Sequence, residues 1–211
     1  VEKATYLREN RRIDGMGQTT GRYFRDKMPM RMRAKSCGIN SPSFTSLFND
    51  HDINTFADTV SPPWVLKPRS EAAASGIIKV FDKESLLMHI NEMWNNRFKY
   101  LLEQFKPGDV YHCDSLILDR KIIFSLTSKY LATPLGNFAS GWCVSQFQYS
   151  LNSEDDKAIK KVNEQLLKGF GLKYGAAHTE FIKNSEDGEI YFLETSSRVG
   201  GAHLAEMVEA A

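Results

Sequence analysis

Apolar and polar positions along this 211-residue chain recur with two periods, and the switches between them mark out its elements. The stretch from Glu2 to about Gly38 predicts two helices broken at Asp14-Gly15-Met16-Gly17. In the second, Tyr23/Phe24, Met28, Met32 and Lys35 share a helical spacing, Pro29 marks a start or a kink, and Gly38 a stop. A loop through Ser41-Pro42-Ser43 leads to a short helical turn expected around Phe44 to Phe48. After the break at Pro62-Pro63, Trp64 to Lys67 predicts a strand that returns as Gly76 to Val80. A helix opening at Asp82 or Lys83 puts Leu86, Ile90 and Met93/Trp94 on one face. Three β-rich runs follow, at Tyr100 to Phe105, Asp109 to Leu118 and Lys121 to Tyr130. Ile159, Val162, Leu166 and Phe170 then set a helix from about Glu154 to Phe170, with Gly171 as its stop. Last, Ala176 to Ile182 and Ile190 to Thr195 flank the turn Asn184 to Gly188 as a hairpin. Strand pairs with separated helices predict an α+β fold, not alternating βαβ units.

Composition narrows the chemistry only by exclusion. With 27 basic against 26 acidic residues, the net charge of +1 argues against a nucleic-acid partner. No apolar run approaches the ~18 residues of a membrane span, and no signal-peptide pattern opens the sequence. The separated cysteines Cys37, Cys113 and Cys143 fit reduced thiols, so a soluble, cytoplasmic protein is expected.

Two segments carry candidate chemistry. In Lys67-Pro68-Arg69-Ser70-Glu71-Ala72-Ala73-Ala74-Ser75-Gly76, a lysine at a strand end precedes a small-residue loop. An ammonium beside free backbone N–H groups suits phosphate, although a solvated hairpin loop has the same composition. In the C-terminal hairpin, period-2 alternation puts Glu180 with His178 on one face and Phe181 with Ala177 on the other; the same count puts Glu194 with Phe192. Two carboxylates projecting to one side offer the hard oxygen donors that Mg²⁺ prefers, and Arg198 just beyond could grip a carboxylate or phosphate. An ordinary cross-strand surface with a salt bridge is the alternative. His178-x-Glu180 lacks the P-C-x-x-C partner of a zinc deaminase, and histidines 51, 89, 112, 178 and 203 show no metal-ligand spacing.

The order of these pieces resembles the ATP-grasp superfamily, and within it the L-amino-acid and dipeptide ligases. Carrying the resemblance are the K-P-x-x-x-x-x-x-S-G loop (Lys67 to Gly76), the hinge-like Leu101-Leu102-Glu103-Gln104-Phe105-Lys106-Pro107-Gly108, and the closing H-x-E-F and L-E-x-x-x-R-x-G-G. Arg25-Asp26-Lys27 and Gly38 to Pro42 are similar to the family's opening segment. The resemblance implies two lobes whose antiparallel sheets clamp ATP: a helical segment over 1–42, a lid lobe over 43–105 and a large lobe over 106–211. It implies Lys27 and Lys67 on the phosphates, Ser70, Ser75 and Gly76 in the closing loop, and the backbone around Glu103, Gln104 and Phe105 on the adenine edge. Asp109, beside Val110 where many members have an acid, would take the ribose, and Lys129 is a further phosphate candidate. Glu180 and Glu194 would hold Mg²⁺, with Ser196 where many members have asparagine, and Arg198 would steady the acid or the transferring phosphate. The implied reaction activates a carboxylate as an acyl phosphate that an amine displaces, with amino acids as candidate substrates. An ATP-binding module without turnover and a bicarbonate-activating carboxylase are the alternatives. Relatives carry a Rossmann-like domain before this region and more chain after it, so exposed apolar surface and a homodimer are expected of the piece.

Overall fold

The computed structural model describes residues 1–71, 76–131, 152–201 and 206, together with the backbone of 146–148. Three helices open the chain: α1 (Glu2–Arg11), α2 (Gln18–Arg22) and α3 (Lys27–Ser36). The expected second helix is therefore two. Asp26 accepts from the Met28 backbone N–H and so starts α3, placing Pro29 in the first turn, where a missing N–H costs nothing.

A four-stranded antiparallel sheet follows, in the order β1 (Phe44–Ser46), β4 (Tyr100–Gln104), β2 (Trp64–Pro68), β3 (Ile78–Val80). Residues 44–46, expected as a helical turn, are an edge strand because Phe44, Thr45 and Ser46 pair with Glu103, Leu102 and Leu101. Helices α4 (Asp50–Thr59) and α5 (Lys83–Met93) cover one face. There Ile53, Phe56, Leu86 and Ile90 pack on Trp64, Leu66, Val80 and Leu102. Alternation sends Val65, Lys67 and Glu103 to the other face.

The second sheet runs β7 (Gln146–Gln148), β6 (Lys121–Tyr130), β5 (Gly108–Leu118), β8 (Gly175–Asn184), β9 (Ile190–Ser196). Helix α6 (Glu154–Phe170) is capped by Ser153, carries three acidic residues in its first turn, and ends at Gly171 with φ 80°. With α3 it covers one face, where Ile159, Leu166, Phe170, Met30 and Ala34 meet Tyr111, Cys113, Phe181 and Phe192. No helix among the described residues is long and apolar enough to cross a membrane.

Two strands depart from simple alternation: β6, where Ile123 is extra opposite Leu116 and Ile117, and β9, where the shift bears on the site. Phe181 pairs with Phe192 and Glu180 with Glu194, so Leu193 is an extra residue, a β-bulge in β9. Phe192 and Glu194, expected on one face, lie on opposite faces. Phe192 is in the core; Glu194 faces away from it, directly across from Glu180.

Candidate functional site

Helix α3 brings the uncovered faces of the two sheets together. Lys27 and Arg31, one helical turn apart, project along the same stripe. Lys27 Nζ reaches Glu194 Oε2 at 2.7 Å and donates to the Glu71 carbonyl at 2.8 Å, while its backbone N–H donates to the Arg69 carbonyl. Arg31, fully buried, donates Nε to Glu103 Oε2 at 2.8 Å and stacks over the Phe192 ring. Lys67 Nζ takes the other oxygen, Oε1, at 2.6 Å. Burial alone would raise the Glu103 carboxyl, but the charges of Arg31 and Lys67 outweigh it and hold the group below the usual range. Two cations share one carboxylate, so the cluster carries an excess positive charge, with Lys67 as its solvent-accessible member.

The second sheet contributes carboxylates. Glu180 and Glu194 are direct cross-strand neighbours, a like-charge pair that is unfavourable without counter-charges. Lys27 supplies one at Glu194. Around Glu180, Tyr130 donates its hydroxyl to Oε1 at 3.0 Å and His178 Nε2 lies 3.6 Å from the same oxygen. Behind them, Asp114 Oδ1 meets His178 Nδ1 at 2.9 Å and Oδ2 meets His112 Nδ1 at 2.6 Å. Burial opposes charge on Asp114, yet the bonds to both imidazoles keep it ionised well below the ordinary range. His178, pushed down by burial, is pulled up to about 9 by its bond to Asp114 and by the nearby Glu180 carboxylate. Glu180 is likewise lowered, its burial outweighed by the nearby His178 and by the Tyr130 hydroxyl. Each hairpin carboxylate thus has one oxygen held by protein, and the other has no partner among the described residues.

The structure therefore gathers Lys27, Lys67, Glu103, Glu180 and Glu194, with Ser196 opposite His178 at the next site-facing position of β9. Glu103, expected to act through its backbone, also places its side chain at the centre of the cation cluster. The N–H groups of Gln104 and Phe105 already donate to the Ser43 and Pro63 carbonyls, so this segment has only carbonyls and side chains to offer there. Ser70 and Gly76 flank the loop, Gly76 at φ +69°, while Ser75 lies outside the described residues. Asp109 and Lys129 pair with each other at 2.6 Å on the Tyr111 face of the second sheet, opposite Glu180. Arg198 is exposed and donates to the Val199 carbonyl.

Arg31, His112, Asp114 and Tyr130 were not singled out by sequence. The available signal was alternation: His112 and Asp114 share a face of β5, as His178 and Glu180 do on β8. The absence of metal-ligand spacing among the histidines concealed that strand pairing brings the His112 and His178 rings to 5.0 Å.

No protein-family model matches the chain. It is 26% identical over 213 residues to an L-arginine-specific L-amino acid ligase of Bacillus subtilis, covering 97% of this chain and 50% of that protein. It is 23% identical over 195 residues to a D-alanine–D-alanine ligase of Neisseria gonorrhoeae, covering 88% of this chain and 61% of that one. The crystal structure of an L-amino acid ligase from Bacillus licheniformis superposes with a TM-score of 0.76 at 22% identity, covering 99% of this chain and 50% of that one. The chain spans half to three-fifths of the curated relatives it matches. Its fold is the ATP-grasp fold, two antiparallel sheets with helices on their outer faces.

Proposed function

We propose that this ATP-grasp chain is the nucleotide-binding core of an ATP-dependent ligase that joins a carboxylate to an amine, with amino acids as the substrate class. The observation that carries the reading is the opposition of charge across the two uncovered sheet faces. Paired carboxylates, each with one oxygen that has no partner among the described residues, stand beside Lys27, and a cation cluster with positive charge in excess presents Lys67. The donor set fits Mg²⁺: two carboxylate oxygens, paired across the strands, and the Ser196 hydroxyl are hard ligands. Bound there by Glu180 and Glu194, Mg²⁺ supplies neutralisation of phosphate charge.

The rest falls to the chain's own groups. Lys67 and Lys27 attract and align the phosphates. Tyr130 and His178 keep Glu180 ionised and oriented. The reaction class is phosphoryl transfer to a carboxylate, releasing ADP, then amine attack on the acyl carbon with loss of phosphate and a proton. Amino acids are proposed as both acid and amine because both curated relatives named above are amino-acid ligases.

The test is a thermal melt with saturating Mg-ATP, with ATP plus EDTA, and with Lys67→Ala, followed by assay of phosphate release. Ligand at ~100 times its Kd stabilises by about 2.7 kcal/mol, several degrees for a chain of this size. A shift that needs magnesium and Lys67, with phosphate release dependent on amino acids, is expected. No shift at millimolar Mg-ATP overturns the reading. Turnover that depends on bicarbonate instead points to a carboxylase.

A further inference from the structure

We infer that Asp114, through His178 and His112, is a positioning residue that fixes the orientation of the Glu180 carboxylate toward its metal. This rests on the reading of Glu180 as a metal ligand. Two arms leave Asp114 and converge on one oxygen. Along the first, Oδ1 accepts from His178 Nδ1 at 2.9 Å, and His178 Nε2 faces Glu180 Oε1 at 3.6 Å. Along the second, Oδ2 accepts from His112 Nδ1 at 2.6 Å. The His112 ring packs on Tyr130 at a centroid distance of 5.1 Å, and the Tyr130 hydroxyl donates to the same Oε1 at 3.0 Å. Side chains from β5, β6 and β8 thus close a loop of contacts around a single carboxylate oxygen.

The terminal torsion of a glutamate is broad and roughly two-fold, so burial alone does not decide which lone pairs face the site. Holding Oε1 from two directions decides it, and leaves Oε2 without a partner among the described residues. An ionised carboxylate only accepts, so both imidazoles must present Nδ1–H to Asp114, and their ring orientations follow from it. Partners behind a metal ligand commonly set its affinity in this way.

The trio of His112, Asp114 and His178 has ligand atoms within 4.8 Å of one another, the spacing of a metal site in its own right. The hydrogen bonds already use those atoms: both oxygens of Asp114 and both Nδ1 positions are engaged in each other. A metal there would have to displace two protons and break both bonds. Positioning is therefore the role the geometry favours.

The test measures Mn²⁺ affinity by electron paramagnetic resonance in the presence of ADP, and ADP affinity in EDTA, for the wild type and four variants. Asp114→Asn removes one of the two ring acceptors. His178→Asn keeps a donor for Asp114 and loses the contact to Glu180. Tyr130→Phe removes only the hydroxyl, and Glu180→Gln tests the parent reading. Asp114→Asn and His178→Asn are expected to weaken Mn²⁺ binding about 10- to 100-fold, and Tyr130→Phe several-fold, with metal-free ADP affinity unchanged. Mn²⁺ affinities within two-fold of wild type overturn the inference, as does an equal fall in metal-free ADP affinity, which would mark a structural role. Tight Zn²⁺ binding abolished by Asp114→Asn without effect on Mn²⁺-ADP would assign the trio as a separate metal site. Should Asp114→Asn fail to fold, His178→Asn and Tyr130→Phe decide the question alone. If Glu180→Gln itself leaves Mn²⁺ affinity intact, the metal assignment fails first, and visibly apart from the positioning role.

Discussion

Replacing Arg31 with methionine isolates the electrostatics at the junction of the two sheets. The guanidinium is fully buried and its partner Glu103 is 1% exposed, so neither charge can recover water when the other is removed. Breaking such a pair from one side costs about 3–5 kcal/mol, because a buried charge is left uncompensated. Lys67 remains on Glu103 Oε1 at 2.6 Å, which holds the loss near the lower bound, about 3 kcal/mol. Methionine fills similar volume over Phe192, so packing changes little. At roughly 2–4 °C per kcal/mol for this size, Arg31→Met should lower Tm by about 6–12 °C. The same residues define a double-mutant cycle. Glu103→Gln strands Arg31 and is expected to cost a comparable amount. The double variant Arg31→Met/Glu103→Gln strands neither, and should fall short of the summed losses by about 2 kcal/mol or more. Urea unfolding followed by circular dichroism gives all four free energies. A loss under about 1 kcal/mol for Arg31→Met, or a cycle that adds to within about 0.5 kcal/mol, would refute the buried-pair argument.

Other consequences can be checked alongside. Lys27→Met leaves Glu194 and Glu180 facing each other without the ammonium, so calorimetry should show Mg-ATP affinity weakened by about tenfold or more, ~1.4 kcal/mol. The His178 ring is stabilised in its charged form, its folded value of about 9 lying above the ordinary 6.5. That contribution, at most about 3 kcal/mol, is complete below pH 6.5, is lost as pH rises toward 9, and should be absent from His178→Gln in urea titrations at pH 6.5 and 9.5. On the acid side, Asp114, Glu180 and Glu103 are all held low, so their stabilisation is present above the usual carboxylate range and is lost as pH falls through and below it. Burial pushes the Cys113 thiol up to about 12, so thiol reagents should label it only after unfolding, whereas half-buried Cys37 reacts in the native protein.

Elements whose periodicity spans several turns or a whole hairpin were legible from sequence. Ile159, Leu166 and Phe170 fix α6, and Gly171 ends it by adopting the left-handed conformation that glycine favours. Short elements were not. Strand β1 has three residues and owes its conformation to pairing with β4, while α4 buries only Ile53 and Phe56, too few to establish a period. Among the site residues, Lys67 and the two hairpin glutamates stood out because each sits at the end of a readable strand. Arg31 did not, since nothing local distinguishes it from Arg33, which instead donates to the Gly169 carbonyl across the core helices. The Asp114–His178 contact joins positions 64 residues apart, and only strand pairing creates it.

The bulge at Leu193 makes β9 two reading frames spliced together. Residues 190–192 are counted from the core, through Phe192 against Phe181; residues 194–196 are counted from the site, through Glu194 against Glu180. A deletion confined to Leu193 would merge the frames and still leave the carboxylate facing its partner, at the cost of the bend and of the contacts Leu193 makes near Val110, Tyr130 and Ile182. The splice is therefore a place where chain length can change by one residue without turning a charge into the core. For the same reason, counting residues outward from the core phenylalanine misplaces the carboxylate.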